Sequence, residues 1–309
     1  MRIRKKPKWK KQTECQELSA TGEEIYEKFL PSELLGMMGI QDDSRQSADL
    51  LEEQKELQAV ILNENIVGFE ELIHSTEIKE VFRLINQTLA FSIPIIHDNH
   101  GMIDIFQDAG VVALFTGDVE DGLNAAISIC EEMIKLENWE KYQNFAVGLS
   151  CGTVMAGVVG YGRKLSVLTL STYMGLGQFL QKMAPRYYAR ILAAGSYVEK
   201  VKDFEKNYNQ RLLGLIYIRD TDSMEKVFDI FDGDRTGIRN KKRKTKMIFE
   251  KGVSLFIAKE FAQARSYFIE VLKADRNDRA AREYVYLCDK YSNMTFEQKR
   301  AAEIFLACL

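Results

Sequence analysis

The stretch from 97 to 115, HDNHGMIDIFQDAGVVALF, constrains the fold of this chain more than any other. Residues 102–106 form an apolar-rich run, residues 107–110 supply turn formers, and residues 111–115 are apolar at every position. That is the pattern of a β-hairpin. A strand that is apolar throughout must be covered on both faces. The pattern therefore predicts a hairpin in the middle of a mixed sheet, with its turn presented at one edge. A tight turn between two buried strands is also a rigid mount for a metal ligand or a phosphate contact.

The rest of the chain supports a sheet covered by helices. Residues 59–62 read as a buried strand that runs on through Asn63, Glu64, Asn65 and Ile66. Between 77 and 96, Ile78, Val81, Phe82, Ile85, Leu89 and Ile93 recur at helical spacing. A second amphipathic helix spans 121–136. Residues 145–151 and 153–159 read as two glycine-broken strands, and 165–170, 191–194, 213–217 and 226–230 as further strands. A helix begins near 174. The predicted class is α+β, a ferredoxin-like βαββαβ arrangement with a mixed central sheet. Residues 234–246 are basic without an apolar period and read as a linker. Beyond them, Gly252, Leu255, Ala264 and Phe268 fall at the spacing of a tetratricopeptide repeat, giving a small C-terminal helical repeat unit that packs on the main domain or a partner. The expected organisation is a basic tail (1–24), a helix and linker (25–58), the main domain (59–232), a basic linker (233–246) and repeat-like helices (247–309).

Composition narrows the function classes. With 46% hydrophobic and 28% charged residues in 309, the chain can build an ordinary globular core. Its five cysteines lack Cys-x-x-Cys spacing, so neither a disulfide framework nor a zinc site is indicated, and a reduced, cytoplasmic setting is expected. Residues 1–12 carry seven Lys or Arg and no acid, leaving the remainder at −10 against −3 for the whole chain. That tail reads as solvated, with weak membrane-peripheral contact as the sharper alternative. The acidic remainder argues against nucleic acid as a partner.

Four blocks, in order and at fitting spacings, carry a resemblance to a known family: FLPSELL at 29–35, VILNENIVGF at 60–69, the hairpin from His100 to Phe115, and the stretch from VGL at 147–149 through Leu180. Over about residues 25–232 the chain resembles the class III adenylyl and guanylyl cyclase domain, and its C-terminal helices look like an appendage common in bacterial members. The resemblance implies a site at a dimer interface. Two aspartates hold two divalent ions, a lysine and an aspartate or threonine read the purine, and an asparagine and an arginine orient the ribose and the transition state.

Carried over residue by residue, the expected ligands are absent. The two metal aspartates fall on Asn65 and Ala109, and the purine lysine on Ile105. The second purine contact falls on Leu168, the ribose asparagine on Gly175 and the transition-state arginine on Phe179. Glu64 and Asp108 each sit one residue before a metal position. In a strand that shift turns Glu64 to the opposite face, whereas Asp108, in a turn, could swing inward or simply cap backbone amides. Asp104 is expected to face the surface, and His97 and His100 to serve the helix–strand junction rather than a metal.

No cofactor is expected; Mg²⁺ or Mn²⁺ enters only if displaced ligands work. The first reading is a catalytically inactive cyclase-homology protein acting through homo- or heterodimerisation, with a protein partner on the C-terminal helices. It carries the expectation that Leu168 and Phe179 are well buried in a filled cleft. The alternatives are an active cyclase using Asp108 and Glu64 to convert ATP or GTP, and a non-catalytic small-ligand sensor.

Overall fold

A computed structural model describes residues 36, 54–136, 145–161, 164–293 and 307–308. The expected basic tail and the helix near residue 30 lie outside this set, residue 36 aside. In chain order the elements are β1 (Gln54–Ile66), α1 (Phe69–Ser75), α2 (Ile78–Asp98), β2 (Met102–Gln107), β3 (Gly110–Phe115) and α3 (Val119–Lys135). Then come β4 (Phe145–Tyr161), β5 (Lys164–Leu170), α4 (Thr172–Met183), β6 (Ile191–Ala194), and the single turns α5 (Gly195–Val198) and α6 (Phe204–Asn207). The chain continues with β7 (Gln210–Ile218), β8 (Ser223–Ile230), α7 (Thr236–Ile257), α8 (Phe261–Ala274), α9 (Arg279–Ser292) and β9 (Ala307–Cys308).

Among the described residues the strands join in one mixed sheet of order β2-β3-β1-β4-β6-β8-β7-β9, with β5 folded back on β4. The fold is α+β, as expected. The hairpin, however, is not central: β2 is an edge strand, and β1 and β4 form the middle, paired over thirteen positions from Gln54↔Gly157 to Ile66↔Phe145. The apolar run of β3 is buried at every residue because it lies one strand in and is covered on both faces. The two strands expected at 145–151 and 153–159 are one long strand. Its glycines do not break it; at Gly148 a Cβ would come within 2.0 Å of the Gly177 carbonyl oxygen, so this glycine lets α4 lie down on the sheet.

Alternation along β1 assigns the two faces. Val60, Leu62 and Ile66 join the main core beneath α2 and α3, whose Gly122 meets Val60. Ala59 and Ile61 point the other way, into a smaller cluster with Val112, Leu114 and Val154, against which Met174 of α4 packs. Ser171 caps α4, accepting from Tyr173 N at 3.2 Å while donating to Thr153 O at 2.6 Å.

Two boundaries differ from the expectation. Residues 54–58, read as linker, extend β1. The basic stretch 233–246, also read as linker, is largely the first half of α7, a 22-residue helix with Lys242, Thr245 and Phe249 buried. Its lysines hide the register because Lys242 is drawn inside by acids. Its ammonium lies 3.0 Å from Asp229 and 2.7 Å from Asp234, and Asp229 also takes Arg211 Nε at 3.0 Å. Arg211 reaches on to Asp278, the N-cap of α9, at 2.6 Å. Tyr284 donates to the Leu213 carbonyl at 2.7 Å, so α7 and α9 are joined to β7 and β8 through buried polar contacts. No helix among the described residues is long and apolar enough to cross a membrane.

Candidate functional site

Asn65, the position that the resemblance assigns to the first metal aspartate, sits at the end of β1. It is half-buried and its side chain is fully committed. Its Nδ2 donates to the Gln107 carbonyl at 3.1 Å and faces the Asp108 carboxylate at 3.3 Å, while its Oδ1 accepts from Ile66 N at 2.8 Å and Ala109 N at 3.3 Å. The amide therefore ties the end of β1 to the β2–β3 turn. A carboxylate could not do this, because it has no N–H to give the Gln107 carbonyl. The turn itself is shaped by Asp108, at φ 53°, and by Gly110, where a Cβ would come within 1.9 Å of the Glu64 carbonyl oxygen.

Ala109, the position that the resemblance assigns to the second metal aspartate, is fully buried in the main core and has no side-chain ligand atom. Asp108 is exposed and does turn toward Asn65. Glu64 lies on the opposite face of β1, 2% exposed, with no hydrogen-bond partner for either carboxylate oxygen. Burial pushes its pKa up to about 8. The Ser92 hydroxyl acts more weakly in the other direction, and its proton is already given to the Thr88 carbonyl at 2.8 Å. Glu64 and Asp108 thus stand on different sides of the sheet and cannot share one ion. Among the described residues no three His, Cys, Asp or Glu side chains converge. The residues present do not fit the two-ion site the fold family implies. His100, at φ 60° in the α2–β2 junction, places Nδ1 3.3 Å from Asp121 Oδ2.

Three of the remaining positions, Ile105, Leu168 and Gly175, line one open groove of about 400 Å³ between β2, β5 and α4. Leu168 is 44% exposed and Ile105 48%, so the expectation of a filled cleft with Leu168 well buried is not met. Both side chains line this open groove and are not packed into either hydrophobic cluster. Phe179 is only half-buried against the main core, so the expectation that it too is well buried is not met either. At Gly175 an added Cβ would meet open space, so no packing demand requires glycine there.

Asp104 corrects a second expectation. The β2–β3 register slips between Ile103 and Ile105, which makes Asp104 a bulge residue and turns it from the surface into the groove. It accepts from Thr169 Oγ1 at 2.6 Å across the cleft, and burial raises its pKa. Strict alternation cannot reveal a bulge; the only sequence signal was an acid inside an otherwise apolar strand.

No family model matches the chain. It is 22% identical over 219 residues to a terminal-differentiation-specific adenylate cyclase of Dictyostelium discoideum, a match covering 68% of this chain and 10% of that protein. A bacterial light-regulated adenylyl cyclase superposes with a TM-score of 0.57 at 16% identity, over 72% of this chain and 65% of the other. The adenylyl cyclase CyaB from P. aeruginosa aligns with a TM-score of 0.51 at 19% identity, over 60% of this chain and 98% of that one. These likenesses establish the fold as that of the class III adenylyl and guanylyl cyclase catalytic domain. The chain spans 10% of the length of the Dictyostelium discoideum relative and 36% of the length of a second, an adenylate cyclase of Anabaena cylindrica, 22% identical over 186 residues.

Proposed function

We propose that this chain is a cyclase-fold signalling protein without cyclase activity, which works by dimerisation and protein–protein contacts. The observation that carries the reading is the state of the two metal positions: Ala109 is buried with no ligand atom, and Asn65 spends both ends of its amide on the hairpin turn. The groove adds to it. No lysine or arginine stands among its described lining residues, and Asp104 faces inward. A nucleoside triphosphate with about four negative charges would be desolvated there beside a carboxylate, without compensating cations. Dimerisation through the sheet is the natural use of the exposed apolar ribbon, and the C-terminal helices offer a second contact surface.

One observation favours the alternative of an active cyclase: Asp108 does lean toward the first metal position, 3.3 Å from Asn65 Nδ2. The test is incubation of the purified full chain with ATP or GTP and either Mg²⁺ or Mn²⁺, with cyclic product read by mass spectrometry. No cyclic nucleotide above the protein-free control is expected. Product formation abolished by Asp108→Ala would instead establish the displaced-ligand cyclase.

A further inference from the structure

Positive charge in this chain is gathered in two places. Residues 1–12 carry seven Lys or Arg and no acid, and residues 235–251 carry eight against the single acid Glu250, so the rest of the chain is strongly acidic. The second group lies on and just before α7, and the fold sorts it. Lys242 is taken inside by Asp229 and Asp234, Lys241 pairs with Asp275 at 3.1 Å, and Lys246 lies 3.9 Å from Glu250. Arg243, Lys244 and Lys251 are exposed and have no ion-pair partner among the described residues; Arg243 donates to the neutral Asn209 Oδ1 at 3.0 Å. Helical spacing sets these three on one face with Asn240 and Met247, opposite the buried Thr245, Phe249 and Phe256. Met247 stands in the middle of that face and is 82% exposed.

From this arrangement we infer that the outer face of α7 rests on an anionic lipid surface, with Arg243, Lys244 and Lys251 among the headgroups and Met247 reaching toward the acyl boundary. Complementary charge selects the occupant. Each Lys or Arg held near such a surface raises affinity about fivefold at physiological salt. Three are a weak contact on their own. The basic tail, which carries Trp9 and Ile3, supplies a second, and two weak contacts on one chain reinforce each other through effective concentration. The acidic remainder is repelled by the same surface, so the field turns α7 toward the lipid and the rest of the molecule away. A specific acidic protein would call for aromatic anchors or paired guanidinium groups. This face carries one arginine and no aromatic side chain. The inference is independent of whether the domain turns over nucleotide.

The test is co-sedimentation of the full chain with vesicles of about 30% phosphatidylserine in phosphatidylcholine, and with pure phosphatidylcholine, at about 0.1 M salt. Binding to the anionic vesicles alone is expected, weakened roughly a hundredfold when Arg243→Gln, Lys244→Gln and Lys251→Gln are combined. Lys79→Gln, Lys200→Gln and Lys202→Gln together remove the same charge from exposed positions elsewhere and should change binding less than about threefold. Circular dichroism checks that each variant is folded. No binding to the anionic vesicles, equal binding to neutral ones, or equal losses in the two combined variants overturns the inference. So does binding that survives the α7 variant, because the tail then carries it. Binding of soluble poly-glutamate through the same three residues, with none to vesicles, would give the face to an acidic protein and overturn the lipid. None of these outcomes bears on the non-catalytic reading, which the cyclic-nucleotide assay decides.

Discussion

At the scale of single residues, two positions near the candidate site carry measurable consequences. Glu64 holds its proton in the folded state up to about 8, while an unfolded glutamate releases it near 4.5. Between those values the native state binds more protons than the unfolded chain, so stability falls as pH rises from 4.5 through 8. Glu64→Gln removes the ionisable group. Its advantage over wild type should be under about 1 kcal/mol at pH 5 and about 4 kcal/mol by pH 8, read from urea unfolding at several pH values; a variant whose pH slope matches wild type would show that Glu64 does not titrate in the core. Gly175 is the other position. It sits in a helix with open space where a Cβ would go, so Gly175→Ala should stabilise the chain by about 0.5–1 kcal/mol in the same assay. Identities at the six family positions were legible because the motifs fix spacing. Orientation was not: Asp104 points inward because of a bulge, and Leu168 lines an open groove where a filled cleft was expected.

At the scale of elements, helices with a continuous apolar period were legible and the basic half of α7 was not. Periodicity counts apolar residues, whereas α7 buries Lys242 and Thr245 alongside Phe249. The acids that accept Lys242 come from β8 and from the turn after it, too far along the chain for a local pattern to show. Burial alone would hold the Lys242 ammonium below its usual range, but Asp229 and Asp234 outweigh that and raise its pKa. Burial likewise pushes Asp278 up, and Arg211's charge and hydrogen bonds pull it lower still. Such a network is stable only when complete. Lys242→Met leaves two buried carboxylates without their cation and should cost about 3–5 kcal/mol, whereas Lys244→Met, on the exposed side of the same helix, should cost less than about 0.5 kcal/mol. Chemical denaturation of both variants checks the contrast, and similar losses would mean that α7 is not anchored through this network.

At the scale of the whole molecule, the surface that remains unexplained is the β4–β5 ribbon. Met155 pairs with Leu170 and Gly157 with Leu168, so these side chains share one face, and Leu170 is 61% exposed, with Met155 and Val159 close to 40%. Phe106, on the edge strand across the groove, is 63% exposed. Apolar side chains clustered on a projecting ribbon mark an association surface more often than scattered single ones do. A second copy of the chain is the occupant that the proposed function requires. The full chain should therefore be dimeric by light scattering at tens of micromolar, and Met155→Glu combined with Leu170→Glu should make it monomeric without altering its circular dichroism. Neither residue belongs to the main core or the smaller cluster, so the charges should disturb association and not folding. A dimer that survives both charges would place the contact elsewhere on the sheet. A wild-type monomer at that concentration would remove self-association from the proposal and leave a different protein as the partner for the ribbon.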